Sequence, residues 1–258
     1  MNKRLDGIDA LRGVAIVWMT LFHFSFDLNH LGFLRENFYS DPFWTWQRTA
    51  IVSLFLFCAG LGQSIAVSWE QSWSRFWRRW SQVAACALLV TLGSLWMFPQ
   101  SFIYFGVLHG LALMLLLLRL IAPWAKRHLV LLSSIGAALM AAKFFAWYAL
   151  EPGAVTDLLN GRGLNWLGLI NRKPNTEDYV PLVPWLGVVL WGFAAGTWLE
   201  RCHPAALRIR VLAIFAPLAF LGRWSLSYYM LHQPVLIACV TLASWIVRWA
   251  VWRARPRA

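Results

Sequence analysis

The chain has 258 residues, of which 60% are hydrophobic and only 13% charged, whereas a typical soluble domain carries roughly 25% charged residues. A water-soluble fold of this composition would expose large apolar patches, so a soluble globular protein is excluded. The net charge of +12 sits between apolar runs rather than along one surface, which favours membrane orientation over nucleic-acid binding.

Seven apolar runs follow one another at about 10–31, 43–66, 79–98, 104–121, 128–150, 180–200 and 223–249. Each is long enough, at 1.5 Å per residue, to cross a hydrocarbon core of about 30 Å. Lipid admits only helices or closed barrels, and unbroken apolar runs lack the alternation of a barrel. The predicted fold class is therefore an all-α integral membrane protein, a polytopic helical bundle forming one domain over 1–258. The first run is too long for a cleaved signal peptide, lacks a small-residue cleavage site, and reads as a signal anchor. Many of the 18 Trp lie near run ends, as expected at headgroup level.

Orientation follows from the basic residues. With the N-terminus in the cytoplasm, inner segments hold Lys3, Arg4, Arg12, Arg75, Arg78, Arg79, Arg119, Lys126, Arg127, Arg201, Arg208 and Arg210, and outer ones hold Arg35, Arg162, Arg172 and Lys173. This is a positive-inside bias. Between Pro204 and Leu221, the uncharged part from Val211 would rise only about 16 Å as a helix, too short to cross. An interfacial or re-entrant piece is expected there, giving seven crossings. Arg253, Arg255 and Arg257 then fall outside, a violation that an eighth crossing would remove, so the count stays open between seven and eight. The loop at about 151–179 faces the outside and either covers an acceptor substrate or simply connects. Cys58, Cys86, Cys202 and Cys239 form no CxxC pair, so neither a disulfide framework nor a metal site is expected.

Ionisable residues inside membrane helices are expensive and mark functional sites. Lys143 lies toward the outer end of its span and can snorkel. The others are His23, Asp27, Arg48, His109 and His232. In the first run Arg12 and His23 are eleven residues apart, hence on one helical face and separated by about 16 Å. Asp27, at i+4 from His23, can fix its tautomer, an arrangement that suits a general base or a structural lock between helices. Arg48 is expected to pair with an acidic group such as Asp27 or Asp178. In the inner segment SRFWRRW, Arg75 and Arg78 are one turn apart and can grip phosphate or anchor the chain at the membrane. His109 either binds directly or packs. Asp178 opens the sixth span, where it meets an acceptor or caps a helix. In GRWSLSYYMLHQP at 222–234, Arg223 starts the last span. Ser225 and His232 are seven residues apart on nearly one face, with Tyr228 or Tyr229 in the turn between them, and Pro234 is expected to kink the helix near Met230.

These segments, in order, resemble the heparan-alpha-glucosaminide N-acetyltransferase catalytic-domain family in a short bacterial form, and more distantly the acyltransferase-3 type membrane transferases. The carrying stretches are RLDGIDALRGVAIVWMTLFHFSFDL at 4–28, FLFCAGL at 55–61, RFWRRW at 75–80, YFGVLHGLALMLL at 104–116, DYVPLVPWLG at 178–187 and LGRWSLSYYMLHQPVLI at 221–237. The resemblance implies an enzyme of a bacterial inner membrane that draws acetyl groups from cytoplasmic acetyl-CoA. In the wider group an Arg and a His separated by ten residues mark the first helix, matched by Arg12 and His23. An Arg-x-x-Arg pair is associated there with the acyl donor, matched by Arg75 and Arg78. The glucosaminide enzyme has Asn where this chain has His23 and is much longer, so the acceptor is open among a glycan, a lipid-linked acceptor or another envelope component.

The combined expectation assigns His23, Asp27 and His232 to catalysis. Arg12, Arg75, Arg78 and His109 go to the acyl-CoA donor, and Arg48, Asp178, Arg223, Ser225 and Tyr228 to the acceptor. Membrane lipid is the surrounding partner, no nucleic acid is expected, and homo-oligomerisation is left open. Two rival readings are a proton-coupled small-molecule transporter, because buried His and Asp also serve proton relays, and a b-type haem protein ligated by His23, His109 and His232.

Overall fold

The computed structural model describes residues 5–205 and 212–253. Lys3, Arg4, Arg208, Arg210, Arg255 and Arg257 of the charge pattern lie outside the described residues. Among the described residues, seven helices are long and apolar enough to cross a membrane. They are α1 (Asp6–His30), α2 (Pro42–Ser68), α3 (Trp73–Met97), α4 (Val107–Arg127), α5 (Leu129–Ala149), α7 (Leu182–Cys202) and α9 (Ser225–Arg253). Two short helices complete the set, α6 (Ala154–Asn160) and α8 (Ala216–Arg223). The chain is an all-α polytopic integral membrane protein, because backbone groups in lipid must be satisfied within each segment.

Helix boundaries differ from the sequence reading by up to six residues. α3 begins six residues before the expected 79, because Ser72 caps it, accepting from the Arg75 N–H at 3.4 Å. Arg75 and Arg78 thus stand on the first turns of a membrane helix rather than in a loop. The Pro204–Leu221 stretch contains α8, whose eight residues rise only about 12 Å and cannot span. No eighth spanning helix occurs among the described residues.

The chain divides into two compact units. In the unit of 53–210, α7 packs on α4, α5 and the later part of α2. Small residues set the α2–α7 distance, since a Cβ on Gly60 would lie 2.0 Å from the Val189 oxygen. α3 and α4 are joined where Trp80 Nε1 donates to the Ala112 oxygen at 2.8 Å. The 151–181 connection folds back on residues 100–107 through a bridge between Phe105 and Tyr179 and a bond from Thr176 Oγ1 to the Phe102 oxygen.

The second unit comprises Asp6–Val52 and the described residues from 212 onward. Here α1 packs against both α8 and α9. α8 lies along the first turns of α1 at backbone contact: a Cβ on Gly222 would stand 1.7 Å from the Asp9 oxygen, and one on Gly13 would stand 2.0 Å from the Leu218 oxygen. The first part of α2 meets α1 through Trp18, whose Nε1 donates to Gln47 Oε1 at 3.0 Å.

Candidate active site

Helical spacing lines up Asp9, Arg12, Thr20, His23 and Asp27 along α1. At the α8 end, Arg12 Nη1 sits 3.3 Å from Asp9 Oδ1. Arg223 reaches the same carboxylate, with Nε 3.8 Å from Asp9 Oδ2, and bonds Asp6 Oδ1 at 2.7 Å. Both arginines are therefore held by acidic residues of the first turn of α1. Ser225, the first residue of α9, is two turns from His232, about 10 Å along the axis.

Further along, three rungs connect α1 to α9. Thr20 Oγ1 donates to the Ile16 oxygen at 2.8 Å, which uses its single proton. The 2.9 Å contact between Tyr228 and Thr20 is then a bond donated by the phenol. Next, the rings of His23 and His232 face each other with centroids 5.1 Å apart. One turn on, Gln233 Nε2 donates to Asp27 Oδ1 at 3.0 Å.

Asp27 thus takes its hydrogen bond from Gln233 rather than orienting His23, which corrects the sequence reading: α9 brings an amide to the carboxylate. Among the described residues His23 makes no hydrogen bond; its ring meets Phe22 edge-on at 5.7 Å. Asp27 Oδ2, His232 Nε2 and Gln233 Oε1 are all buried and without a hydrogen-bond partner. An unsatisfied buried polar atom costs about 1–3 kcal/mol, so three in one cluster call for an explanation beyond packing and make this the candidate site. All three are acceptors, so the cluster is complementary to a group carrying N–H or O–H donors.

Tyr228 stacks on His232, with centroids 6.2 Å apart and planes 11° from parallel. Tyr228→Phe keeps this stack and removes the bond to Thr20. It is expected to cost about 1 kcal/mol of stability, read as a small fall in Tm, with activity within about fivefold of wild type.

The remaining candidates fall elsewhere. Arg48 is exposed and forms no ion pair among the described residues, so its expected pairing with Asp27 is corrected. α2 turns Gln47 toward Trp18, and the next residue points about 100° away. In the 53–210 unit, His109 uses both ring nitrogens. Thr91 spends its proton on the Ile103 oxygen, so His109 Nε2 donates to Thr91 Oγ1 at 2.9 Å, while Nδ1 accepts the Gly106 N–H at 3.3 Å. That leaves no ring nitrogen for a donor substrate, and His109 joins helix ends instead. Asp178 Oδ2 accepts the Val107 N–H at 2.7 Å and so serves the first turn of α4. Beside it, Asn165 donates to the Tyr104 hydroxyl at 2.8 Å and accepts from the Tyr179 hydroxyl at 2.6 Å through its backbone oxygen. Burial pushes both phenols above their ordinary range. Arg75 and Arg78 are exposed, whereas Phe76 between them is buried.

Sequence reasoning missed Thr20, Gln233 and Arg119. The first two are uncharged and escape a search for ionisable groups, although an amide beside His232 in an apolar helix was a usable signal. Arg119, counted only as an inner charge, is buried, with its guanidinium 5.0 Å from the Trp73 ring centroid and bonded to the Gln71 oxygen.

The family model described as "Heparan-alpha-glucosaminide N-acetyltransferase, catalytic" matches residues 4–234, a span that contains the whole α1–α9 cluster. No curated protein sequence and no solved structure matches the chain. With the match running from the start of α1 to the His232–Gln233 pair, the chain belongs to the heparan-alpha-glucosaminide N-acetyltransferase catalytic-domain family, a family of membrane acetyltransferases.

Proposed function

We propose that this protein transfers an acetyl group from cytoplasmic acetyl-CoA to an amine or hydroxyl of a glycan or lipid-linked envelope acceptor, in a bacterial inner membrane with its N-terminus inside. The observation that carries the reading is the pair of facing imidazoles among three buried acceptor atoms that lack donors. An acceptor amine or hydroxyl supplies the missing hydrogens. His23 lies at the reaction centre, as base or as acyl carrier. Arg75 and Arg78 receive the CoA phosphates from the inner face, because both guanidinium groups are exposed and pair with no carboxylate among the described residues, which suits them to bidentate bonds. Arg12 and Arg223, held by Asp9, mark the inner end of the α1 stripe.

The test is transfer of labelled acetyl from acetyl-CoA by the purified full-length protein, with glucosamine as probe acceptor. Absence of turnover by the wild type would sink the reading. In the same assay Arg75→Ala and Arg78→Ala are each expected to raise the KM for acetyl-CoA about tenfold, the loss of one charge-assisted bond of roughly 1.5 kcal/mol. They should leave acetyl-pantetheine, which lacks the nucleotide phosphates, unaffected. Equal losses with both donors would remove these arginines from the phosphate site.

A further inference from the structure

The two facing imidazoles are not equivalent. His232 Nδ1 lies 2.7 Å from the backbone oxygen of Tyr229. A carbonyl oxygen only accepts, so Nδ1 carries the hydrogen. In the neutral ring Nε2 is then a bare lone pair, and that nitrogen is buried with no partner. The ring is also held in place: Tyr228 stacks on it, Tyr229 lies at 5.6 Å, and His23 faces it across the helix contact. Among the described residues His23 has no hydrogen bond to select its tautomer. A base needs a fixed ring with a free lone pair aimed at the reaction, and only His232 has both.

We infer that His232 Nε2, and not His23, accepts the proton of the attacking nucleophile, an inference that rests on the acetyl-transfer reading. The new bond forms between the acceptor nitrogen or oxygen and the acetyl carbon as the acceptor's proton moves to Nε2. The carbon–sulfur bond then breaks, and the departing CoA thiolate takes that proton from Nε2. His232 returns to its starting tautomer because Nδ1 never releases its hydrogen from the Tyr229 oxygen. The charged and titratable groups around it are few. α1 presents His23 and, through Gln233, Asp27; α9 itself presents Tyr228 and Tyr229; Arg12, Asp9, Asp6 and Arg223 cluster at the α8 end; and Arg48 on α2 is exposed.

His232→Asn is the sharpest variant, since its short amide can still offer an N–H to the Tyr229 oxygen while removing Nε2. Expected are a fall in kcat of about 10²–10⁴-fold, an unchanged KM for acetyl-CoA, and loss of the rise in rate with pH that deprotonation of the base produces. His23→Asn should leave its residual activity rising with pH as in the wild type. If His232→Asn retains that rise, or His23→Asn alone abolishes it, the assignment is overturned. Nitrogen NMR of histidine-labelled full-length protein in nanodiscs gives a readout apart from turnover, with His232 identified by its absence in His232→Asn. A neutral ring protonated at Nδ1 is expected. A ring protonated at Nε2 in an active enzyme overturns this assignment alone. A wild type that turns over no acetyl-CoA overturns the acetyl-transfer reading and the assignment with it.

Discussion

Replacing His23 by Ala is expected to lower acetyl transfer about 100-fold, because it removes the ring that faces and positions the His232 base, with folding intact. The side chain makes no hydrogen bond among the described residues, so its removal strands no partner there; it packs against Phe22 and His232. A structural His–Asp lock would behave differently, but Asp27 is bonded to Gln233 and would stay so. The measurement is kcat for labelled acetyl transfer beside a melting curve. A second readout tests whether this ring carries the acyl group, which the direct attack assisted by His232 excludes. If His23 carries the acyl group, wild type given labelled acetyl-CoA without acceptor retains label after denaturation, and His23→Ala does not. Full activity in the variant would remove His23 from the chemistry.

The largest structural effect is expected from Gly222→Val. Its Cβ would stand 1.7 Å from the Asp9 oxygen, a backbone atom inside α1 that cannot move without breaking the helix. Overpacking in a core costs about 1–3 kcal/mol when side chains can yield; here two backbones are in contact, so α8 must leave α1. That separation also breaks the bonds of Arg223 to Asp6 and Asp9. A marked fall in folded yield and Tm is expected. Gly7→Ala, on the facing helix α1, is the control, because a Cβ there meets nothing within 4 Å. Size-exclusion profiles and melting curves in detergent check both, and a normal Gly222→Val would contradict the α1–α8 packing.

The spans were legible because lipid leaves few options: a run of about 20 apolar residues must satisfy its own backbone, so hydropathy nearly determines the helix. The stripe of Arg12, His23 and Asp27 was legible for the same reason, since one helix carries it and 3.6-residue periodicity places it. The start of α3 was less so, because Trp73, Trp77 and Trp80 suit a membrane interface and a helix equally well, and the Ser72 cap decides.

Single-helix reasoning failed wherever a partner had to be chosen. Arg48 looked like a counter-ion for Asp27, yet the face that α2 turns toward α1 is set by Trp18 and Gln47. His109 stood open between direct binding and packing, and only the structure shows Thr91 and the Gly106 N–H at its nitrogens. By itself, then, the amino-acid order determined the helical membrane class, the seven spans and the polar residues buried within them, because these depend on local transfer energies and helical period. Which buried groups meet was decided only by the tertiary structure. The pairing of His23 with His232 and of Asp27 with Gln233 joins residues some 200 positions apart, and it depends on how closely Gly13 and Gly222 let α8 approach α1 and on how α9 lies against α1 beyond it.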